Sequence, residues 1–173
     1  SKILSTYGNA FMLRTDSDKK LDEFKKYSSI PIINGLSPSS HPTQVLSDIF
    51  TIQEIKKKSI SKLKLCWIGD ANNNMMNSLI EACIKFSVSL NIACPKSYQP
   101  NKMLISLIKK QKGKIKIFNK KKIAVKNSDV VMTDKIISLN DKVNKKKKLK
   151  SFKNFKVDTK TMNLAKKDAI FLH

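Results

Sequence analysis

The chain has 173 residues, 40% of them hydrophobic, and a formal net charge of +22 at pH 7. That length and apolar fraction are enough for an ordinary globular core, and no apolar run approaches the roughly 18 residues that a membrane span requires. The three cysteines, Cys66, Cys83 and Cys94, are odd in number and make no CxxC pair, which argues against a disulfide framework and gives no metal-binding signature; they read as small core hydrophobes.

The charge comes from 34 lysines and a single arginine, Arg14. A chain that reads phosphates or bases favours the planar arginine fork. The lysine excess, beside abundant isoleucine and asparagine, therefore reads as a compositional bias of the gene toward A and T, and nucleic acid is not the expected partner. The opening residues SKILSTYGNAFML mix polar and apolar types and lack a small-residue cleavage site, so the expected location is cytoplasmic, with no membrane partner.

In chain order, residues 10–13 form an apolar strand and residues 17–27 a helix, with Ser17 as N-cap. A second apolar run, residues 30–33, is closed by the turn signal Asn34-Gly35. Residues 37–40 are a serine-rich loop. Pro42 suits a first helical position, and Val45, Leu46, Ile49, Phe50, Ile52 and Ile55 then recur at helical spacing up to Lys56-Lys57-Lys58.

The rest alternates as a βαβ array. Strands are expected at residues 63–68, 87–93, 114–118 and 129–132, with helices at 74–86 and 102–111. Residues 141–150 are lysine-rich and read as an exposed loop or solvated helix end. A short strand at 154–157, a helix near 160–164 and a strand at 169–172 complete the chain. The fold class is α/β: a Rossmann-like parallel sheet flanked by helices, preceded by a separate strand–helix–strand. Open sheets of this kind bind ligands beyond the carboxyl ends of their strands. Polar clusters stand at such ends at residues 69–74, 133–140 and 173, and a fourth, residues 41–44, opens a helix.

Five blocks, in order, carry a family resemblance: AFMLRT (residues 10–15), PIINGLSPSSHPTQVLSD (31–48), CWIGDANNN (66–74), VVMTDKIISLN (130–140) and FLH (171–173). Together they resemble the ornithine carbamoyltransferases, whose corresponding blocks end a strand in a phosphate-binding arginine and then read INGL…HPxQxLAD, WxGDGNN, TDxWxSMG and HCLPR. The resemblance implies direct reaction of carbamoyl phosphate with L-ornithine to give citrulline and phosphate. It implies no cofactor and no metal. Such catalysis rests on positioning and charge stabilisation.

By this resemblance Arg14 and His41 are the expected catalytic residues, and Arg14, His41 and Gln44 hold carbamoyl phosphate. His41 would donate to the carbamoyl oxygen and Gln44 would accept from the carbamoyl amine. Three residues apart at a helix start, both can face one ligand. Asn73, Asp134, Ser138 and Leu139 are the expected ornithine-binding residues; Asn73 also reads as a helix cap. Four positions depart from the family pattern: Ala71 and Asn140 replace glycines, Ile136 a tryptophan and Leu139 a methionine. Alanine is ill suited to positive φ, so a strained or shifted loop is expected at Ala71.

The implied organisation is the end of a carbamoyl phosphate domain (residues 1–40), an interdomain helix (41–58) and an ornithine-binding domain (59–173), with a homotrimer as the full-length assembly. An STRT-type phosphate-binding motif does not occur in the chain, nor does a cysteine follow His173. The chain by itself is therefore not expected to be a competent enzyme, and reads as a gene fragment, a partial sequence or one piece of a split protein. A sister specificity for acetylated ornithine or aspartate stays open, as does an inactive basic protein that holds nucleic acid by charge alone.

Overall fold

Strand β1 (Phe11–Arg14), helix α1 (Asp18–Tyr27) and strand β2 (Ile32–Leu36) build a first parallel pair, in which Phe11 stands opposite Ile32. This is a computed structural model, and it describes residues 1–110, 114–137 and 144–173. Ser17 caps α1 as expected, accepting from the Lys20 amide at 3.3 Å. Asn34-Gly35 is not a turn. It lies inside β2, and Asn34 donates to Ser40 Oγ at 2.7 Å. The strand continues because pairing with β1 satisfies its backbone, which overrides local turn propensity.

Helix α2 (Pro42–Lys56) starts on Pro42 and ends at Lys57, whose φ of 49° is left-handed. Val45, Ile49 and Ile52 form its buried stripe. Its last lysine is also buried: Lys56 Nζ reaches Asp168 Oδ2 at 2.7 Å and the Asp168 carbonyl at 2.7 Å. That link ties the end of α2 to the loop before the final strand.

The second sheet contains β3 (Lys64–Ile68), β4 (Ser89–Ala93), β5 (Ile115–Phe118), β6 (Val130–Met132) and β7 (Ile170–Leu172). Its order is β5-β4-β3-β6-β7, and every neighbouring pair is parallel. The chain runs outward from β3 to β5, then jumps back to the far side of β3. The switch point lies between β3 and β6, where an open α/β sheet leaves a crevice at its carboxyl edge. Helices α3 (Asn74–Lys85), α4 (Lys102–Lys109), α5 (Lys121–Val125), α6 (Lys145–Phe152) and α7 (Thr159–Met162) make the connections.

Period-two alternation splits each central strand between two cores. Leu65, Trp67, Leu90, Ile92, Val130 and Met132 face one core, shared with α2, α3 and α4. Cys66, Ile68, Ala93 and Val131 face the other, which takes Ala124, Val125, Phe152 and Phe155. Fully burying such an aliphatic or aromatic side chain contributes about 1.5–3 kcal/mol. The three cysteines are buried, and burial pushes each thiol up to about 12.

Other parts of the chain also differ from the sequence reading. Residues 154–157 form no strand; Phe155 folds back, its amide donating to the Phe152 carbonyl at 2.8 Å, and its ring joins the core. The short helix α5 was not expected. The lysine-rich stretch is not wholly solvated: residues 145–152 form α6, with Lys148 and Phe152 buried, while residues 141–143 lie outside the described residues. One inward face, spaced by four, was hidden by the surrounding lysines. Among the described residues no helix is long and apolar enough to cross a membrane.

Candidate active site

A cleft of about 1230 Å³ opens between the β1–β2 pair and the carboxyl edge of the larger sheet. Arg14, His41, Gln44, Asn73, Asp134 and His173 all line it. They come from separate elements, and topology unites them: Arg14 ends β1, His41 and Gln44 open α2, Asn73 follows β3, Asp134 follows β6 and His173 follows β7.

Arg14 is exposed at the end of β1, where a register shift between Leu13 and Arg14 pairs Arg14 with Leu36. His41 is the N-cap residue of α2, but its side chain makes no cap hydrogen bond. Instead its backbone amide donates to Ser78 Oγ at 2.8 Å, and Nδ1 lies 3.4 Å from Thr43 Oγ1. Burial, then the neighbouring Arg14 guanidinium, hold the imidazole below its ordinary range; Asp48 and Asp134 oppose this. The ring is thus neutral at pH 7 and has one N–H to give to a developing oxyanion.

Gln44 Nε2 donates to Asp48 Oδ1 at 2.9 Å. With the amide oriented that way, the Gln44 side-chain oxygen is left to accept from a ligand N–H. Burial raises the Asp48 carboxyl above its ordinary range, against the opposing effects of the Gln44 hydrogen bond and of the His41 ring when protonated.

Asn73 acts as a helix cap. Its Oδ1 accepts from the Met76 amide at 2.8 Å, and Nδ2 donates to the Asp70 carbonyl at 3.3 Å. The exposed neighbour Asn72 also lines the cleft, and its backbone amide donates to Asp70 Oδ1 at 2.9 Å. The loop around Ala71 is not strained: Ala71 is absent from the positive-φ residues, is fully buried, and its amide donates to the Tyr98 carbonyl at 3.0 Å. The positive φ falls on Gly69, at 150°.

Asp134 Oδ1 accepts from the Lys135 amide at 2.7 Å, and its side chain is half-buried beside the cleft. The adjoining Thr133 hydroxyl donates to the Ile68 carbonyl at 2.6 Å, which clamps the end of β6 to the end of β3. Ser138, Leu139 and Asn140 lie outside the described residues. Among the described residues, no group of three or more His, Cys, Asp or Glu side chains could hold a metal ion.

Sequence reasoning missed several lining residues. Asp48 lies one helical turn beyond Gln44, a spacing that could have flagged it. Trp67 lines the cleft from below, its indole N–H donating to the Asp70 carbonyl at 3.1 Å. Lys148 and Asp70 form an ion pair in the cleft wall. Ser78, which holds the His41 backbone, carried no sequence signal, since only the packing of α2 on α3 brings the two together.

Two family models match the chain. Residues 61–173 match the Asp/Orn binding domain of aspartate/ornithine carbamoyltransferase, and residues 1–54 match the carbamoyl-P binding domain. An ornithine carbamoyltransferase of Caldicellulosiruptor saccharolyticus is 41% identical over all of the chain and 57% of its own length. The enzyme of Methanosarcina acetivorans is 36% identical with the same coverage. Among solved structures, the anabolic ornithine carbamoyltransferase of Campylobacter jejuni superposes with a TM-score of 0.90 at 38% identity, covering 99% of the chain and 57% of its own. That of Pyrococcus furiosus gives a TM-score of 0.87 at 34% identity, covering 99% and 55%. The chain thus spans about 57% of the length of the curated relatives it matches. With both family models in their expected order and the cleft formed where they meet, the chain belongs to the aspartate/ornithine carbamoyltransferase family.

Proposed function

We propose that this chain carries the L-ornithine half, and part of the carbamoyl phosphate half, of an ornithine carbamoyltransferase. The observation that carries the reading is the convergence on one cleft of Arg14, His41 and Gln44 with Asn72, Asn73 and Asp134. The relatives named as ornithine carbamoyltransferases support it.

In this reading Arg14 pairs with the oxyanions of carbamoyl phosphate. The neutral His41 donates to the carbamoyl oxygen, and Gln44 accepts from the carbamoyl amine. Asp134 takes the ornithine α-ammonium, whose carboxylate end lies toward the Asn72–Asn73 turn; Ser138 and Leu139 complete that end. The δ-amine attacks the carbamoyl carbon. A C–N bond forms, the C–O bond to phosphate breaks, and the proton lost by the amine leaves with the departing phosphate. No cofactor takes part.

The division into residues 1–40, 41–58 and 59–173 is proposed with it, as is a homotrimer of full-length subunits working in the cytoplasm at the citrulline-forming step of arginine synthesis. The test uses the 173-residue chain and its sole tryptophan, Trp67, which lines the cleft. L-ornithine and δ-N-(phosphonacetyl)-L-ornithine should change Trp67 fluorescence saturably, whereas L-aspartate and N-acetylornithine should not. An equal response to aspartate, or none to the bisubstrate analogue, would overturn the reading.

A further inference from the structure

The run KKKKLK at residues 145–150 holds five lysines, and only Lys148 among them is buried. Its side chain is 6% exposed and that of Asp70 is 7% exposed, with Lys148 Nζ at 2.7 Å from Asp70 Oδ2. Removing either charge alone would leave the other poorly hydrated, which is strongly unfavourable. The pair therefore fixes where α6 lies against the loop after β3.

Asp70 is the centre of that loop. Its second oxygen, Oδ1, accepts from the Asn72 amide, and its carbonyl accepts from both the Trp67 indole and Asn73 Nδ2. Tyr98 closes the arrangement. Its carbonyl accepts from the Ala71 amide, its ring lies 5.5 Å from Lys148 Nζ, and the same ring packs 4.7 Å from that of Phe152. Lys148 and Phe152 are four residues apart on one face of α6, so a single helical face docks through both charge and aromatic packing.

Asp70 and Lys148 both line the cleft, as does Asp134. An unpaired Asp70 would present a second carboxylate to any substrate ammonium. We propose that Lys148 is a positioning residue for the amino-acid end of the cleft. Its ion pair holds Asp70, and through it the Asn72–Asn73 turn, while cancelling a carboxylate that would compete with Asp134 for the substrate's ammonium group. The choice of L-ornithine as ligand rests on the function proposed above; the effect on the loop does not.

The experiment compares Lys148→Met, Lys148→Arg and, as a control that breaks an ion pair away from the cleft, Asp168→Asn in the full 173-residue chain. Far-UV circular dichroism establishes folding. Trp67 emission without ligand reads the loop, and an L-ornithine titration reads the site. Lys148→Met should shift Trp67 emission and raise the ornithine Kd at least tenfold. Under the same substitution 1,4-diaminobutane, which has no carboxylate to misplace, should lose less than threefold. Lys148→Arg should restore both readouts, and Asp168→Asn should leave Trp67 emission as in the parent.

A folded Lys148→Met chain with parental emission and ornithine affinity overturns the proposal, as does failure of Lys148→Arg to restore them. Should Lys148→Met not fold, the double variant Asp70→Asn with Lys148→Met removes both charges together and avoids a lone buried ion. Displaced emission and weakened ornithine binding in that variant support the proposal; parental behaviour overturns it. If the parent chain itself binds no ornithine, the ornithine reading fails, and Trp67 emission alone then decides the role of Lys148.

Discussion

The backbone amide of His41 donates to Ser78 Oγ at 2.8 Å, which joins the start of α2 to the second turn of α3. Ser78 is 5% exposed, so this hydrogen bond is made away from water. It fixes the distance between the residue that would face the carbamoyl group and the helix that begins at Asn74. Replacing Ser78 by alanine leaves the His41 amide without that partner. The expected cost is about 1–3 kcal/mol of stability by urea unfolding. Amide exchange at His41 should accelerate, whereas exchange at Met76, capped by Asn73, should change less.

The lowered pKa of His41 has a testable sign. Burial and the Arg14 charge disfavour the imidazolium. The folded-state pKa therefore lies below the unfolded value of about 6.5. The associated stability is present above the unfolded pKa and is lost as pH falls from there through the folded pKa. The chain has two histidines, so ring-nitrogen NMR can follow His41 separately from His173. Arg14→Met should move the His41 midpoint upward, toward its ordinary value. An unchanged midpoint would show that the two side chains do not share a field.

Gly69 carries a φ of 150° at the point where β3 gives way to the Asp70 loop. An added Cβ would meet Thr133 Oγ1 at 3.4 Å, an ordinary contact, so the difficulty is conformational rather than steric. Gly69→Ala should cost about 1–3 kcal/mol. Denaturant unfolding would measure it, and Trp67 emission should shift because the indole donates to Asp70, the next residue.

Phe152 is fully buried, and Leu149, on the same helix, is 50% exposed. Because α6 docks through Phe152 on Tyr98, Phe152→Ala should destabilise the chain by about 3–5 kcal/mol. Leu149→Ala should stay within about 0.5 kcal/mol, as surface changes do. Equal effects in thermal unfolding would mean that α6 is not seated on Tyr98.

Cys66, Cys83 and Cys94 should resist a thiol reagent such as DTNB at pH 8 in the native state, since burial pushes each thiol up to about 12. All three should react together once the chain unfolds. Rapid labelling of any one under native conditions would contradict the packing around it.

Much of the architecture was legible in local patterns. The alternation of β3 and β4, the apolar stripe of α2 and the Ser17 cap follow from side-chain periodicity and hydrogen-bonding capacity along a short stretch. The motif residues Arg14, His41, Gln44, Asn73 and Asp134 could likewise be named from the chain alone, because the blocks that hold them resemble those of a known family. Tertiary structure decided the rest. It carried β2 through Asn34-Gly35, because pairing with β1 satisfied that backbone. It turned the expected strand at residues 154–157 into a loop that buries Phe155. It selected Lys148 from a run of like charges, because only a residue on the inward face of α6 can reach Asp70. Strand order brought Asp134 beside the Asp70–Asn73 loop across the switch point, although the two are far apart in the chain. A sequence shows which side chains an element can present; which of them meet depends on how sheets are ordered and helices packed, and those contacts join residues that share no local pattern.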